Sequence, residues 1–241
     1  MPPRLKTVAS PFTNELLSAL PMRDLNRLAS KLHIMDLSAK QVLHQVDDEI
    51  RHVYFPTSSV VARTVTMEEG SSIEVGMAGS EGLTGICAFF GQATSPYREI
   101  VLFPGGAIRI DASFLIQEIK RGTALSEVLK QYVHDSFRMV SKSAACNQLH
   151  KVEQRCCRLL LMLHDRAHAD EFPLTHETLA LMLGVRRASV SEVAGQLQLE
   201  KFIRYRWGWV KVTDRRGIEE RACRCYHHIK AKGHPFAAQS C

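Results

Sequence analysis

The residues best suited to chemistry by type and spacing lie between Leu174 and Ala194. Arg186, Arg187, Ser189 and Ser191 cluster there. Arginine carries paired donors that match the two acceptors of a guanine edge, and serine can meet a base or a phosphate. Two helices can close tightly just upstream, because Ala180 is small and Gly184, four places on, tolerates the positive φ of a tight turn. Leu179, Leu183, Val185, Val190 and Val193 fall where apolar side chains must fill the angle, and Thr175 can cap the first helix. The pattern predicts a helix-turn-helix at about 174–197, with a second helix starting near Arg186 and the Arg186–Ser191 turn presented to a major groove. An αα-corner with its arginines on a solvated face is the alternative for the same pattern.

The next segment extends this chemistry. Phe202–Val212 alternates apolar and polar residues and is broken by Gly208, as a β-hairpin would be. Behind a recognition helix such a hairpin is a wing, on which Arg204, Arg206 and Lys211 could rest on phosphates. Packing of its tryptophans on the helices is compatible with that role. Other constellations promise less. Cys223-x-Cys225-x-His227-His228 has zinc-ligand residue types. Asp214, however, is placed to cap a helix from Arg216 to about Lys230, on which residues two apart project about 200° apart, so no metal site is expected. Cys156-Cys157 read as packed thiols, with a redox role left open. Gly79-Ser80-Glu81-Gly82 lacks a nucleophile elbow, since Ala78 stands where a glycine is needed, and no Gly-rich phosphate loop occurs. No enzyme is expected.

The chain has 241 residues, enough for two cored domains, and its 45% hydrophobic and 23% charged residues are ordinary for globular proteins. No run of about 18 uncharged apolar residues could span a bilayer. Met1–Pro11 carries some positive charge with no apolar stretch behind it, unlike a signal peptide. Seven irregularly spaced cysteines suit reduced thiols, which with the preceding points predicts a cytoplasmic protein. The net charge of +6 is unevenly placed. Residues 1–150 hold 15 Lys+Arg and 15 Asp+Glu, whereas 151–241 hold 16 and 10. A polyanion-binding module attached to a neutral domain would show this asymmetry.

Elements must position these residues. Leu16, Leu17, Leu20, Leu25, Leu28 and Leu32 around Pro21 predict two short helices over 14–33. Short β-rich runs follow at 42–43, 52–55, 60–61, 64–66, 72–75, 100–103 and 107–110, separated by turns such as Glu69-Gly70 and Pro104-Gly105-Gly106. They predict a small sandwich or barrel. Helical texture returns at Asp111, with a break at Gly122. From Thr123 to about Cys146, the residues Leu125, Leu129, Tyr132, Ser136, Met139, Ser143 and Cys146 step by four and three, a seam suited to a partner helix. Val128, Val133, Phe137, Val140 and Ala144 form a stripe beside it, and packing of the whole helix on its own domain is the simpler alternative. A further helix spans about Lys151–His168. The expected α+β organisation is a β-rich domain over 1–122, a helix suited to dimerisation over 123–150 and a DNA-binding domain over 151–241.

With these segments in view, the chain resembles the Crp/Fnr family of bacterial transcription regulators over nearly its whole length. Leu174-Thr175 through Val190 carry the likeness, together with Val53-Tyr54-Phe55-Pro56 and Gly79-Ser80-Glu81-Gly82-Leu83. The resemblance implies a cyclic-nucleotide-binding-like β-roll, a long dimerisation helix and a C-terminal winged helix-turn-helix. It further implies a homodimer on near-palindromic duplex DNA, with RNA polymerase as a partner. The family's base-reading positions fall on Arg187, Ala188 and Glu192, with Arg186, Ser189 and His176 nearby. Ala188 replaces an acid and Glu192 an arginine, which implies a different operator, in which Glu192 accepts from a cytosine amino group.

An effector site is implied around Glu81, Gly82, Leu83 and Arg98. Cyclic-nucleotide binders of the family follow their Gly-Glu pair with Arg-Ser; here Ser95-Pro96 stands there and Arg98 is displaced, which disfavours a cyclic nucleotide. No cysteine precedes Cys87, which disfavours the N-terminal iron–sulfur cluster of the oxygen-sensing branch. The contrasting expectation is a small-molecule-binding β-roll protein whose C-terminal domain meets proteins instead of DNA.

Overall fold

A computed structural model describes residues 13–68, 70 and 72–230, with side chains as far as His227. Met1–Pro11, Glu69 of the expected turn and the His228 side chain lie outside the described residues. The described residues form two compact units, one holding residues 13–63 together with Met77–Ser136, the other Thr64–Gly76 together with residues 137–230.

In the first unit, Asn14 starts α1 (Glu15–Ser18): its Oδ1 accepts from the Leu16 and Leu17 amides at 3.1 and 3.3 Å. Its Nδ2 donates to the Pro56 and Gly82 carbonyls at 2.8 and 3.0 Å, so one buried side chain caps a helix and ties it to the strands. After α2 (Met22–Leu28) the strands are β1 (His33–Leu37), β2 (Val42–His44), β3 (His52–Pro56), β4 (Val60–Thr66), β5 (Ser72–Ala78), β6 (Arg98–Phe103) and β7 (Gly105–Asp111), of which residues 64–66 of β4 and 72–76 of β5 are grouped with the second unit. They form sheets ordered β1-β7-β3 and β2-β6-β4-β5. The runs expected at 60–61 and 64–66 are one strand passing through Arg63. In β6, Glu99, Val101 and Phe103 point inward and alternate with half-buried residues, the period of a pleated strand. β1 was missed, because only Leu37 in it is fully buried and the remaining residues give no clean alternation. The core joins Leu16, Leu17 and Leu28 to Val53, Phe55, Ile108, Ile110 and Leu115.

The break at Gly122, where φ is +63°, separates α3 (Ala112–Lys120) from α4 (Ala124–Leu149). Here the proposed dimer seam requires correction. Leu125 and Leu129 are each 1% exposed within the first unit's own core, and Tyr132 packs against that core. Because α4 leaves directly from α3, the most apolar residues of the seam are consumed by the domain that precedes them, and Ser136 and Met139 stay half-buried. The neighbouring stripe is the open one: Phe137 is 72% exposed, and Val140 is also exposed.

The second unit contains α5 (Val152–Ala167), β8 (Glu171–Pro173), α6 (His176–Leu183), α7 (Arg187–Leu199), β9 (Ile203–Arg206), β10 (Trp209–Val212), α8 (Arg215–Arg221) and α9 (Cys225–Lys230). The expected hairpin is present and β8 adds a third strand, in the order β8-β10-β9. At three residues, β8 was too short to announce itself. Asp214 caps α8 by accepting from the Gly217 amide at 3.0 Å. The single helix expected from Arg216 to Lys230 is, however, two. Ala222 adopts an extended conformation with ψ of 150°, and the Cys223 amide donates to the Gln154 carbonyl of α5. Burial of Cys223, Cys225 and Tyr226 accompanies this departure from the helix. The expectation that Cys223 and Cys225 diverge on one helix therefore fails.

Candidate nucleic-acid interface

The pair α6–α7 is built as its residue types require. Thr175 Oγ1 accepts from the Thr178 amide at 3.0 Å and starts α6. Gly184 ends it with φ of +63°, and its amide donates to the Leu181 carbonyl. Leu179, Ala180, Leu183 and Val190 are buried in the angle, with Val185 and Val193 half-buried. Arg186 is the residue immediately before α7, so the arginines occupy the first turn of that helix. The buried side of α7 is Val190, Ala194 and Leu197, while Arg187, Ala188, Ser191 and Glu192 are exposed and Ser189 is half-buried. Residues 187, 188, 191 and 192 share a face by their three- and four-residue spacing.

Two contacts brace that face. His176 Nδ1 lies 3.0 Å from Ser191 Oγ, and the His176 ring meets Tyr205 of β9 edge-on at 4.6 Å. Burial lowers the His176 pKa, with the Arg187 charge adding to the effect, so the imidazole is neutral at neutral pH. The wing turns at Trp207-Gly208, both with positive φ. Trp207 is 88% exposed, so the alternative of both tryptophans packing on the helices does not hold for it; Trp209 is 37% exposed. Arg204, Arg206 and Lys211 are exposed on the hairpin.

Ion pairing distinguishes the arginines of α8 from the basic residues at the start of α7 and on the wing. Arg215 pairs with Asp165 at 2.8 Å, Arg216 with Glu220 at 3.2 Å, and Arg221 with Glu153 and Glu200 at 2.5 and 2.7 Å. Among the described residues, Arg186, Arg187, Arg204, Arg206 and Lys211 are held in no ion pair. Their charge is left for an external anion, and they all lie at the start of α7 or on the wing. That is the arrangement by which a winged helix meets duplex DNA.

A family model for a Crp-like helix-turn-helix domain matches residues 154–221, which contain all five of these residues. This chain carries a Crp-like helix-turn-helix domain and is a DNA-binding transcription regulator. The transcriptional regulator SdrP of Thermus thermophilus is 26% identical over 163 residues, which cover 64% of the regulator described here and 76% of SdrP. The fold is shared with FixK2 from Bradyrhizobium japonicum, at a TM-score of 0.68 and 12% identity, covering 80% of this regulator and 98% of FixK2. It is shared also with a Crp/Fnr-family regulator of Eubacterium rectale, at a TM-score of 0.67 and 15% identity over 86% of this chain and 96% of that one. No described helix is long and apolar enough to cross a membrane.

The first unit of the regulator holds a buried polar network that sequence reasoning missed. Arg63 Nε donates to Glu99 Oε1 at 3.0 Å, His44 Nδ1 lies 2.6 Å from Glu99 Oε2, and the Gly85 amide donates to the same oxygen at 2.8 Å. Arg63 Nη2 donates to the Leu83 carbonyl at 2.7 Å and to the Tyr132 hydroxyl at 2.9 Å. The available signal was an arginine in the middle of the apolar run Val60–Val65. Of the expected effector residues, Leu83 joins this network through its carbonyl, and Glu81 Oε1 accepts from the Gly79 amide at 3.2 Å. A Cβ on Gly82 would stand 2.6 Å from the Tyr132 hydroxyl, so that glycine is required by close packing. Arg98 is half-buried at the start of β6. Burial pushes the Cys156 and Cys157 thiols up, Cys157 to about 12, far from the reactive thiolate a sensor needs.

Proposed function

We propose that this regulator binds near-palindromic duplex sites as a homodimer, one α7 in each of two major grooves about one helical turn apart. Arg187 reads a guanine edge, with Arg186, Ser189, Ser191 and Glu192 completing base and phosphate contacts. Thr175 and His176 steady the entry of the helix, and Arg204, Arg206 and Lys211 hold phosphates from the wing. The observation that carries this reading is the set of five exposed basic side chains left unpaired on one helix start and its wing, while Arg215, Arg216 and Arg221 are neutralised nearby.

The dimer face assigned here is Phe137, Val140 and Ala144 of α4, since Leu125 and Leu129 are already used. An effector acting around Glu81–Leu83 and Arg98 in the sensor, over 1–122, would bias the DNA-binding domain over 151–241 through the helix at 123–150. RNA polymerase is the expected downstream partner, in the cytoplasm, with no catalytic step assigned to the chain.

The test is selection of bound sequences from random duplexes by the full chain, followed by gel retardation against salt and competitor. A recovered motif with inverted half-sites supports the reading; uniform retardation of all duplexes, or none, refutes it. Sedimentation of Phe137→Asp beside wild type tests the dimer face: the variant should sediment as a monomer.

A further inference from the structure

Four metal-ligating side chains outside the DNA face converge within the second unit. Cys146 and His150 lie one turn apart near the end of α4, and Cys223 and Cys225 flank the break between α8 and α9. Their ligand atoms all lie within 4.8 Å of one another. Cys146 Sγ is 3.4 Å from Cys223 Sγ, and Cys225 Sγ is 3.8 Å from His150 Nδ1. We infer that these residues form a mononuclear Cys3His site for zinc, or a divalent ion of similar softness, which fastens the segment after α8 to the end of α4.

The geometry matches such an ion closely. A tetrahedral zinc with Zn–S near 2.3 Å separates its thiolates by about 3.8 Å. The spacing is too wide for a disulfide, whose sulfurs lie about 2.05 Å apart. It is too tight for a multi-iron cluster, whose irons and sulfides would hold the thiolates further from one another. The backbone also serves the site: the departure from helix at Ala222 is what turns Cys223 and Cys225 toward a common point.

The surrounding charge supports the same assignment. Three thiolates, a neutral imidazole and a divalent cation carry a net charge of −1. Arg155 and Arg158 of α5 are both buried, form no ion pair among the described residues, and leave each Nε without a partner. Arg155 is an electrostatic neighbour of Cys146 and Cys223, and Arg158 of Cys223. Two buried guanidiniums with no carboxylate are costly unless an anion lies near them, and a metal–thiolate centre is such an anion. Binding would displace three thiol protons as the three sulfur–metal bonds form.

The test uses the full chain, reduced, stripped with a chelator and titrated with Co2+ and then Zn2+. One ion per chain, with tetrahedral cobalt bands and thiolate-to-metal charge transfer, is the expected result. Loss of outer-shell partners alone typically weakens metal affinity about 10–100-fold, so Cys146→Ser and Cys223→Ser should each cost at least about 100-fold. Cys87→Ser, in the first unit and outside the ligand set, should cost nothing. Should the serine variants misfold, the wild-type protein still decides the matter: zinc should shield three cysteines from alkylation that react once it is chelated. Sub-stoichiometric binding, a cobalt spectrum without thiolate bands, an alkylation count indifferent to zinc, or a Cys146–Cys223 disulfide persisting in place of metal binding would each overturn the assignment.

Discussion

The guanidinium of Arg63 in β4 donates to the hydroxyl of Tyr132 in α4 at 2.9 Å, joining the inside of the β-roll to the long helix. The same arginine holds Glu99, which is almost wholly buried. Removing Arg63 as Arg63→Met strips that buried carboxylate of its guanidinium, leaving the His44 ring and the Gly85 amide as its hydrogen-bond partners, and should destabilise the first unit by about 3–5 kcal/mol. Tyr132→Phe leaves the ion pair intact and should cost only about 1 kcal/mol. Urea unfolding of both variants checks the ranking.

Glu99 also sets a pH dependence. Burial alone would raise its pKa, but the hydrogen bond from His44 and the Arg63 charge outweigh burial and hold it below the usual carboxylate value. A group depressed in the folded state contributes stability above its unfolded pKa and loses that contribution as pH falls through the folded one. The first unit should therefore lose stability below about pH 4.5, the ordinary glutamate value. Glu99→Gln, though less stable at neutral pH, should show a shallower acid decline in melting temperature.

Arg187→Ala should relax sequence preference at one base pair of each half-site and weaken specific binding by about 1–3 kcal/mol. Selection of binding sites by the variant reads this directly. Unchanged preference at every position would remove Arg187 from base recognition.

Arg206→Ala, on the wing, should behave differently. Affinity should fall about equally for all sequences, and the slope of log K against log salt should decrease by about one. Fluorescence titration at several salt concentrations measures both, and the exposed Trp207 beside it supplies the signal.

Gly184→Ala places a Cβ on a residue with φ of +63°, at a cost of about 1–2 kcal/mol, and sets that Cβ 2.7 Å from Ile73 Cδ1. The helix-turn-helix should melt earlier while each helix remains formed. Gly184→Asn should be milder, because asparagine tolerates the left-handed region. Circular dichroism melts of the two variants give the comparison.

The DNA-reading module could be inferred almost entirely from residue order. Thr175, Ala180, Gly184 and the arginines lie within a dozen positions, and short-range geometry links their types to helix caps, a close crossing and a positive-φ turn. The location of the charge excess was equally plain. What tertiary structure alone decided was long-range: which stripe of α4 the first unit consumes, that Arg63 meets Glu99 and Tyr132 inside it, and which arginines are neutralised by distant acids. The break at Ala222 belongs to the same class, for no glycine or proline marks it, and it accompanies burial against α5. Periodicity lists the faces an element can bury, but the choice among them depends on neighbours far away in the chain. Cys146 and Cys223, 77 residues apart, come together only through that choice.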